Sequence, residues 1–383
     1  MRSLYVHLPF CRQKCLYCDF PVVAAPVSGR YLETLGRELE LIRGKYREAD
    51  SLETLYFGGG TPTLLSIPQL QHIVNQVKSL WTVPSSAEVS MECDPGTLTF
   101  SKVQTMLEVG VTRVSLGAQI LDDQALKTAG RGHDTREFWR TVEMLLTAGY
   151  RQDQLGVDLI VGLPGVAEAV WEKSVREIIG LSPGHVSTYF LTLEENTPFH
   201  KRYIEYKSPL PSESSAIYMY TQAHELLTAS GYTHYEISNY AKPGKECRHS
   251  LMYWSGHSAY LGAGLGAASY IQGVRLTRPR RLSDYYRWVN TVQSEGTAET
   301  ELDAVKDRVM YQLRRAIGVD LDEYATAFGQ QTADTLQTSF SPLLESGVMT
   351  NSGRTWRLTV PAGFLVSSEV LSDLFLALER NNQ

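Results

Sequence analysis

Cys11, Cys15 and Cys18 fall within the run from Tyr5 to Phe20, and no fourth cysteine lies nearby. Three thiolates on a tight loop can hold a cubane iron-sulfur cluster at three of its irons, leaving the fourth iron open to an outside ligand. A structural zinc site wants four protein ligands, so zinc would have to recruit His7, which stands in an alternating apolar run that reads as a strand. Disulfides fit poorly, because five cysteines in 383 residues are an odd and sparse set. Three unrelated buried thiols are a further reading, against which polar Arg12, Gln13 and Lys14 argue for an exposed loop. The open-iron cluster is the reading that the spacing serves best. Cys93 and Cys247 read as ordinary free thiols.

Such a loop needs a scaffold, and the first half of the chain supplies one. Strand-like apolar runs at Leu4 to Leu8, Thr54 to Phe57, Glu88 to Met91, Arg113 to Leu116, Gly156 to Val161 and His185 to Phe190 alternate with amphipathic stretches. The latter run from Gly29 to Tyr46, Ile67 to Leu80, Ser101 to Val109, Thr135 to Ala148 and Ala169 to Leu181. Strand-helix repetition predicts a parallel sheet of right-handed crossover units, and six units make an open α/β barrel. On this architecture the chemistry gathers in the loops that follow each strand.

Those loops carry the unusual residues. Gly58-Gly59-Gly60-Thr61-Pro62-Thr63 follows the second strand; its glycines let the backbone approach a ligand, and its amides can donate to a carboxylate or phosphate. Glu92 closes the third strand, Gln119 lies just beyond the fourth, Arg131 follows in Gly130-Arg131-Gly132-His133, and Asp158 lies in the fifth. Carboxylates and an amide can bind ribose hydroxyls and an ammonium, and the guanidinium can pair with a carboxylate. Taken singly, Glu92 or Asp158 could be a helix-capping carboxylate. A second glycine-rich segment, Gly262 to Gly266, lacks the strand, helix and acidic context of a dinucleotide site.

The C-x-x-x-C-x-x-C spacing with its neighbours resembles the radical S-adenosyl-L-methionine (SAM) superfamily, and Tyr5 to Phe20 resembles its anaerobic coproporphyrinogen III oxidase group. That resemblance implies a partial (β/α)6 radical SAM barrel and a 4Fe-4S cluster on Cys11, Cys15 and Cys18. It also implies SAM bound by Tyr5, Gly59, Gly60, Thr61, Glu92, Gln119, Arg131 and Asp158, and an electron donor such as a flavodoxin or ferredoxin. The oxidases of this group bind two SAM molecules, and Tyr17, Gln119 and Asp158 match the second site. The oxidases also carry a further cysteine two positions after the third cluster cysteine, where this chain has Phe20. The ending Cys18-Asp19-Phe20 is that of the group's haem-chaperone branch, so the resemblance implies haem as cargo, an acceptor haemoprotein, and SAM cleavage that is slow or regulatory. A radical decarboxylase acting on a porphyrin precursor is the rival function, followed by methyl transfer or radical chemistry on another substrate.

Between about 205 and 295 aromatic residues are dense, which suits either a tetrapyrrole or an ordinary aromatic core. Arg248 to Trp254 resembles the chaperones' His-Asn-x-x-Tyr-Trp motif with Ser250 in place of Asn. This makes His249 the leading candidate for an axial haem ligand, with Cys247 and His257 as alternatives. Three units are expected: the barrel over 1–205, a haem-handling extension over 206–298, and a helical, winged-helix-like domain over 299–383. In the last, helices are expected at Val305 to Ile317, Leu321 to Phe328, Thr332 to Glu345 and Ser368 to Leu378.

Hydrophobic content of 43%, 20% charged residues and a formal charge of -6 are ordinary for a globular chain and give no basic surface for nucleic acid. Neither a signal-like h-region nor a run of about 18 apolar residues is present, which predicts a cytoplasmic protein without stable membrane insertion.

Overall fold

The computed structural model describes residues 3–48, 50–205, 209–256, 258–291 and 297–380. Six parallel strands come first: β1 (Ser3–Leu8), β2 (Thr54–Gly59), β3 (Glu88–Cys93), β4 (Arg113–Gln119), β5 (Leu155–Val161) and β6 (His185–Phe190). Three short strands extend the sheet at its edges: β7 (Thr233–Glu236), β8 (Asn239–Ala241) and β9 (Leu261–Ala263). The order across the sheet is β9-β1-β2-β3-β4-β5-β6-β8-β7, an open nine-stranded sheet in which β9 runs parallel to β1, and β8 antiparallel to both β6 and β7.

Residues of one parity on each strand are apolar and buried, among them Leu4, Val6, Leu55, Phe57, Val89, Met91, Val114 and Leu116. They face the covering helices α1 (Gly29–Lys45), α2 (Ile67–Leu80), α3 (Phe100–Glu108), α4 (Asp123–Thr128), α5 (Thr135–Ala148) and α6 (Glu168–Leu181), which return an apolar stripe such as Leu70, Ile73, Val74 and Val77. The other parity carries Tyr56, Glu92, Arg113, Ser115, Asp158, His185 and Ser187, which turn inward to a cavity. Reciprocal capping boxes start α2 (Ser66 with Gln69) and α5 (Asp134 with Glu137) where the chain enters each helix.

The described residues between 209 and 298 are distributed along both sheet edges. The helix Glu213–Ala229 (α7) covers the β6 side, the short helix Arg248–Trp254 (α8) lies beneath the barrel, and β9 pairs with β1. The glycine-rich segment that holds β9 has a packing role: a Cβ on Gly262 would collide with the Ala268 carbonyl oxygen, and one on Gly266 would meet Pro21 Cγ at 2.5 Å. Below it, Glu38 and Arg278 form a wholly buried ion pair at 2.8 Å; Glu38 also accepts from the Gly264 amide (2.8 Å) and the Tyr285 hydroxyl (2.7 Å).

The C-terminal unit holds α9 (Glu301–Leu313), α10 (Leu321–Phe328), α11 (Gln330–Glu345) and α12 (Ser367–Arg380). Its small antiparallel sheet consists of Val319–Asp320, Met349–Ser352 and Thr355–Leu358. Helix α9 begins at Glu301, ahead of the expected Val305, because Thr300 and Asp303 close a capping box there. This unit joins the barrel through backbone bonds from Ile237 N to Arg314 O (2.8 Å) and from Ala316 N to Tyr235 O (3.0 Å). Among the described residues no helix is long and apolar enough to cross a membrane.

Candidate functional site

The cysteine loop leaves β1 through a two-residue parallel pairing of Phe10–Cys11 with Val23–Ala24 and is pinned where it turns. Leu16 N donates to Ala129 O (3.0 Å), Leu16 O accepts from Phe199 N (3.0 Å), and Gln13 Nε2 donates to Gly130 O (2.8 Å). Gly130 has φ +72°, and a Cβ there would lie 2.8 Å from Leu16 Cγ, so glycine lets the loop after β4 dock against the cysteine loop. All three thiols line one cavity of about 550 Å³, within the usual range for ligand sites.

No group of three or more His, Cys, Asp or Glu side chains among the described residues is placed to hold a single metal ion. His7 is also occupied: Nδ1 lies 3.0 Å from the Tyr5 hydroxyl and Nε2 lies 3.1 Å from Pro21 O. The zinc alternative therefore loses its fourth ligand and its geometry. A cluster presents separate irons to separate thiolates, and this donor set suits one. Burial pushes the Cys11 thiol up to about 11 and raises that of Cys18, so binding a metal must displace protons.

The glycine turn after β2 closes the next side of the cavity. Gly59 has φ +115°, and a Cβ would lie 2.6 Å from the His7 ring; on Gly60 it would lie 2.7 Å from the Phe10 carbonyl oxygen. The turn's amides, expected to be free for a ligand, are engaged: Gly60 N donates to Leu8 O (2.9 Å), Thr61 N to Phe10 O (2.8 Å) and Gly59 N to Glu92 Oε2 (3.0 Å). Their work is to bring strand ends together and to orient Glu92, whose other oxygen accepts from Tyr56 (3.1 Å). Burial, opposed by the Gly59 bond and reinforced by the charge of Asp158, pushes the Glu92 carboxyl up to about 7. Burial also raises that of Asp158, although Ser187 (2.7 Å) and Ser115 (2.9 Å) both donate to it. Neither carboxylate caps a helix. Two desolvated carboxyls beside one cavity favour a cationic or hydroxyl-bearing ligand.

Gln119 ends β4 at φ +64° beside a register shift between β4 and β5, a strained setting for a non-glycine residue that aims it into the cavity. Arg131 spans the site. Its Nη1 lies 3.3 Å from both Cys15 Sγ and the Tyr17 hydroxyl, and its Nη2 bonds Gly117 O (2.9 Å) and pairs with Asp94. Burial acts to raise the Asp94 carboxyl, but His133 and Arg131 outweigh it and hold the group below its ordinary value. Asp94 is a site residue that sequence reasoning passed over; its position two residues after Glu92 in a strand-ending turn was the available signal.

The cavity thus unites the three cysteines with Tyr17, Gly59, Gly60, Thr61, Glu92, Gln119, Arg131 and Asp158. The residues matched to two SAM sites share this one space. Cys93 and Cys247 reach its wall as well, with thiols raised by burial, to about 12 for Cys93. Tyr5 is not on the wall; it stacks on Tyr56, which is, with ring centroids 6.0 Å apart. Phe20 stands 67% exposed at the cavity's edge, and Tyr189 and Phe190 are exposed lining residues too.

The axial role expected of His249 is corrected by its placement. The imidazole is 2% exposed and off the cavity wall, with Nδ1 2.8 Å from Thr54 Oγ1 at the N-terminal end of β2 and Nε2 2.8 Å from the Tyr253 hydroxyl. Burial lowers its pKa to about 3. Both nitrogens are committed at the end of the barrel away from the mouth, so the neutral ring serves the floor. Of the two alternatives, Cys247 lines the cavity, and His257 lies outside the described residues.

The chain matches the radical SAM superfamily over residues 5–178 and the HemN C-terminal domain over residues 300–366. It is 34% identical to the heme chaperone HemW of Synechocystis, covering 99% of this chain and 97% of that one. It is 32% identical to the heme chaperone HemW of Escherichia coli, with 98% of each chain covered. Among solved structures, coproporphyrinogen III oxidase (HemN) from Escherichia coli superposes with a TM-score of 0.81 at 21% identity, covering 98% of this chain and 89% of that one. At that identity the likeness speaks for the fold.

Proposed function

Because the chain belongs to the HemW family of radical SAM proteins, we propose that it is a haem chaperone that binds a 4Fe-4S cluster, SAM and haem and passes haem to an acceptor haemoprotein. The observation that carries this reading is the mouth of the cavity. Beside the cysteine loop, where the oxidases have a thiol, Phe20 offers an exposed ring, and Tyr189 and Phe190 add exposed aromatic surface to the same cavity. A flat apolar macrocycle can rest on such a rim without a committed covalent or hydrogen-abstracting partner.

In this reading Cys11, Cys15 and Cys18 hold the cluster, and Arg131 donates to Cys15 Sγ at 3.3 Å and helps to place that sulfur. When bound, the cluster supplies an open iron position and an electron from a flavodoxin- or ferredoxin-like donor to SAM. Glu92, oriented by Gly59 N and Tyr56, receives the SAM ammonium, and Asp158 and Gln119 receive ribose hydroxyls. SAM cleavage is slow or regulatory in this scheme. Arg131 already neutralises Asp94, which keeps the guanidinium in place whether or not a ligand is present.

The test is anaerobic reconstitution followed by SAM with either haem or coproporphyrinogen III. Stable haem binding and delivery to an apo-haemoprotein, with no decarboxylated product, is the expected result. Turnover of coproporphyrinogen would replace the chaperone reading by the oxidase one, and loss of both would favour another radical SAM reaction.

A further inference from the structure

Strand β4 presents Arg113, Ser115, Gly117 and Gln119 to the cavity at alternate positions, and Arg113 is the innermost of them. It is 8% exposed. Among the described residues its one hydrogen bond runs from Nη1 to Lys245 O (3.0 Å), and Glu88 and Asp158 act on it through their charges without a direct ion-pair contact. Glu88, on the neighbouring strand, accepts instead from the amides of Arg248 (3.1 Å) and His249 (3.0 Å). Burial acts to lower the guanidinium's pKa, but Cys247, Glu88 and Tyr235 outweigh it and keep the charge, while the fork borders the cavity with donors to spare.

Its surroundings supply a second donor. Cys247 N donates to the Tyr235 hydroxyl (3.3 Å), whose own hydrogen is then free to bond His185 Nε2 (2.7 Å). With Nε2 accepting, the neutral ring carries its hydrogen on Nδ1, and that atom is buried with no partner. His185 and Arg113 line the same cavity. Gly156 leaves room above them: a Cβ there would lie 3.6 Å from Arg113 Nη2.

We infer that Arg113 and His185 form a carboxylate-receiving subsite at the barrel floor, reached from the mouth. The planar fork of Arg113 matches a carboxylate, and His185 Nδ1–H adds a third donor. A tetrapyrrole propionate is the occupant assigned here, a choice that rests on the haem reading; the methionyl carboxylate of SAM is the other source of the same chemistry.

The experiment uses full-length, cluster-loaded protein, wild type and Arg113→Gln, with haem, haem dimethyl ester and SAM as probes. Arg113→Gln should weaken haem roughly 10-fold or more, the range of a charge-assisted pair, and leave ester binding unchanged. Arg113→Lys should recover part of the loss. If SAM affinity falls and haem affinity does not, the subsite stands with SAM as its occupant. If the wild type binds neither haem nor its ester, the haem reading fails, and the SAM titration still decides the subsite. Unchanged affinities for both haem and SAM overturn the inference. So does a ligand-free Arg113→Gln protein that melts lower than wild type with ligand affinity intact, because a structural arginine would behave that way.

Discussion

Glu92→Gln separates the cost of building the site from its use. The Glu92 carboxyl titrates at about 7 in the folded chain against 4.5 for an ordinary glutamate, and burial is the main cause. A carboxyl whose folded pKa is raised favours the native state only in its protonated form. Its contribution is therefore neutral below about pH 4.5, turns unfavourable as pH climbs to about 7, and is constant above that. The full difference is worth about 3 kcal/mol at pH 8. Glutamine keeps the shape and can still accept from Gly59 N or Tyr56, but it never ionises. Ligand-free Glu92→Gln should match wild type at about pH 5 and exceed it by a few degrees of melting temperature at about pH 8, with the gap opening between those values. With SAM added at the higher pH the order should reverse, since the ammonium finds no carboxylate in the variant. A melting difference that stays the same across this range would refute the electrostatic account of the site.

Other expectations follow from single contacts. Triple replacement of Cys11, Cys15 and Cys18 by Ala should abolish the cluster's visible absorbance, and retained colour would defeat the ligand assignment. Gly59→Ala places a Cβ 2.6 Å from the His7 ring at φ +115°; it should cost about 1–3 kcal/mol in strain and lower both melting temperature and SAM affinity. His249→Ala should destabilise the protein, because Thr54 and Tyr253 lose a buried partner, yet leave haem affinity and the Soret band as in wild type. Arg278→Met leaves Glu38 buried without its cation and should cost about 3–5 kcal/mol, read by denaturant unfolding.

Much of the fold was legible because the signals were local. Each strand of the barrel joins an apolar parity to a polar one, and α2 and α5 carry their own capping boxes, so the expected bounds for α2, α5 and β6 match those observed. The alternation itself carried more than was read from it. Parallel strands covered on both faces by apolar packing run continuously hydrophobic, whereas Arg113-x-Ser115-x-Gly117-x-Gln119 and Gly156-x-Asp158 alternate because one face borders a polar space. Arg113 and His185 were visible in that pattern. Pairings across long stretches of chain were not: β9 joins β1 by setting Leu261 beside Leu4, and nothing in Leu261-Gly262-Ala263 announces its neighbour. His249 misled for a related reason. A motif locates a residue along the chain, but α8 lies beneath the barrel, and only the packing of Thr54 and Tyr253 around the ring shows which end it occupies.

The pairing of β9 with β1 also sets a clock during synthesis. The cysteine loop is made about 250 residues before some of its supports, which include Gly266 against Pro21 and Arg280, which bonds Asp19 O (2.5 Å) and Asp19 Oδ2 (2.8 Å). At about 5–20 residues per second, those supports emerge roughly tens of seconds later. For that interval the three thiols belong to a nascent chain whose barrel lacks its edge strand and the supports that hold the loop from that side.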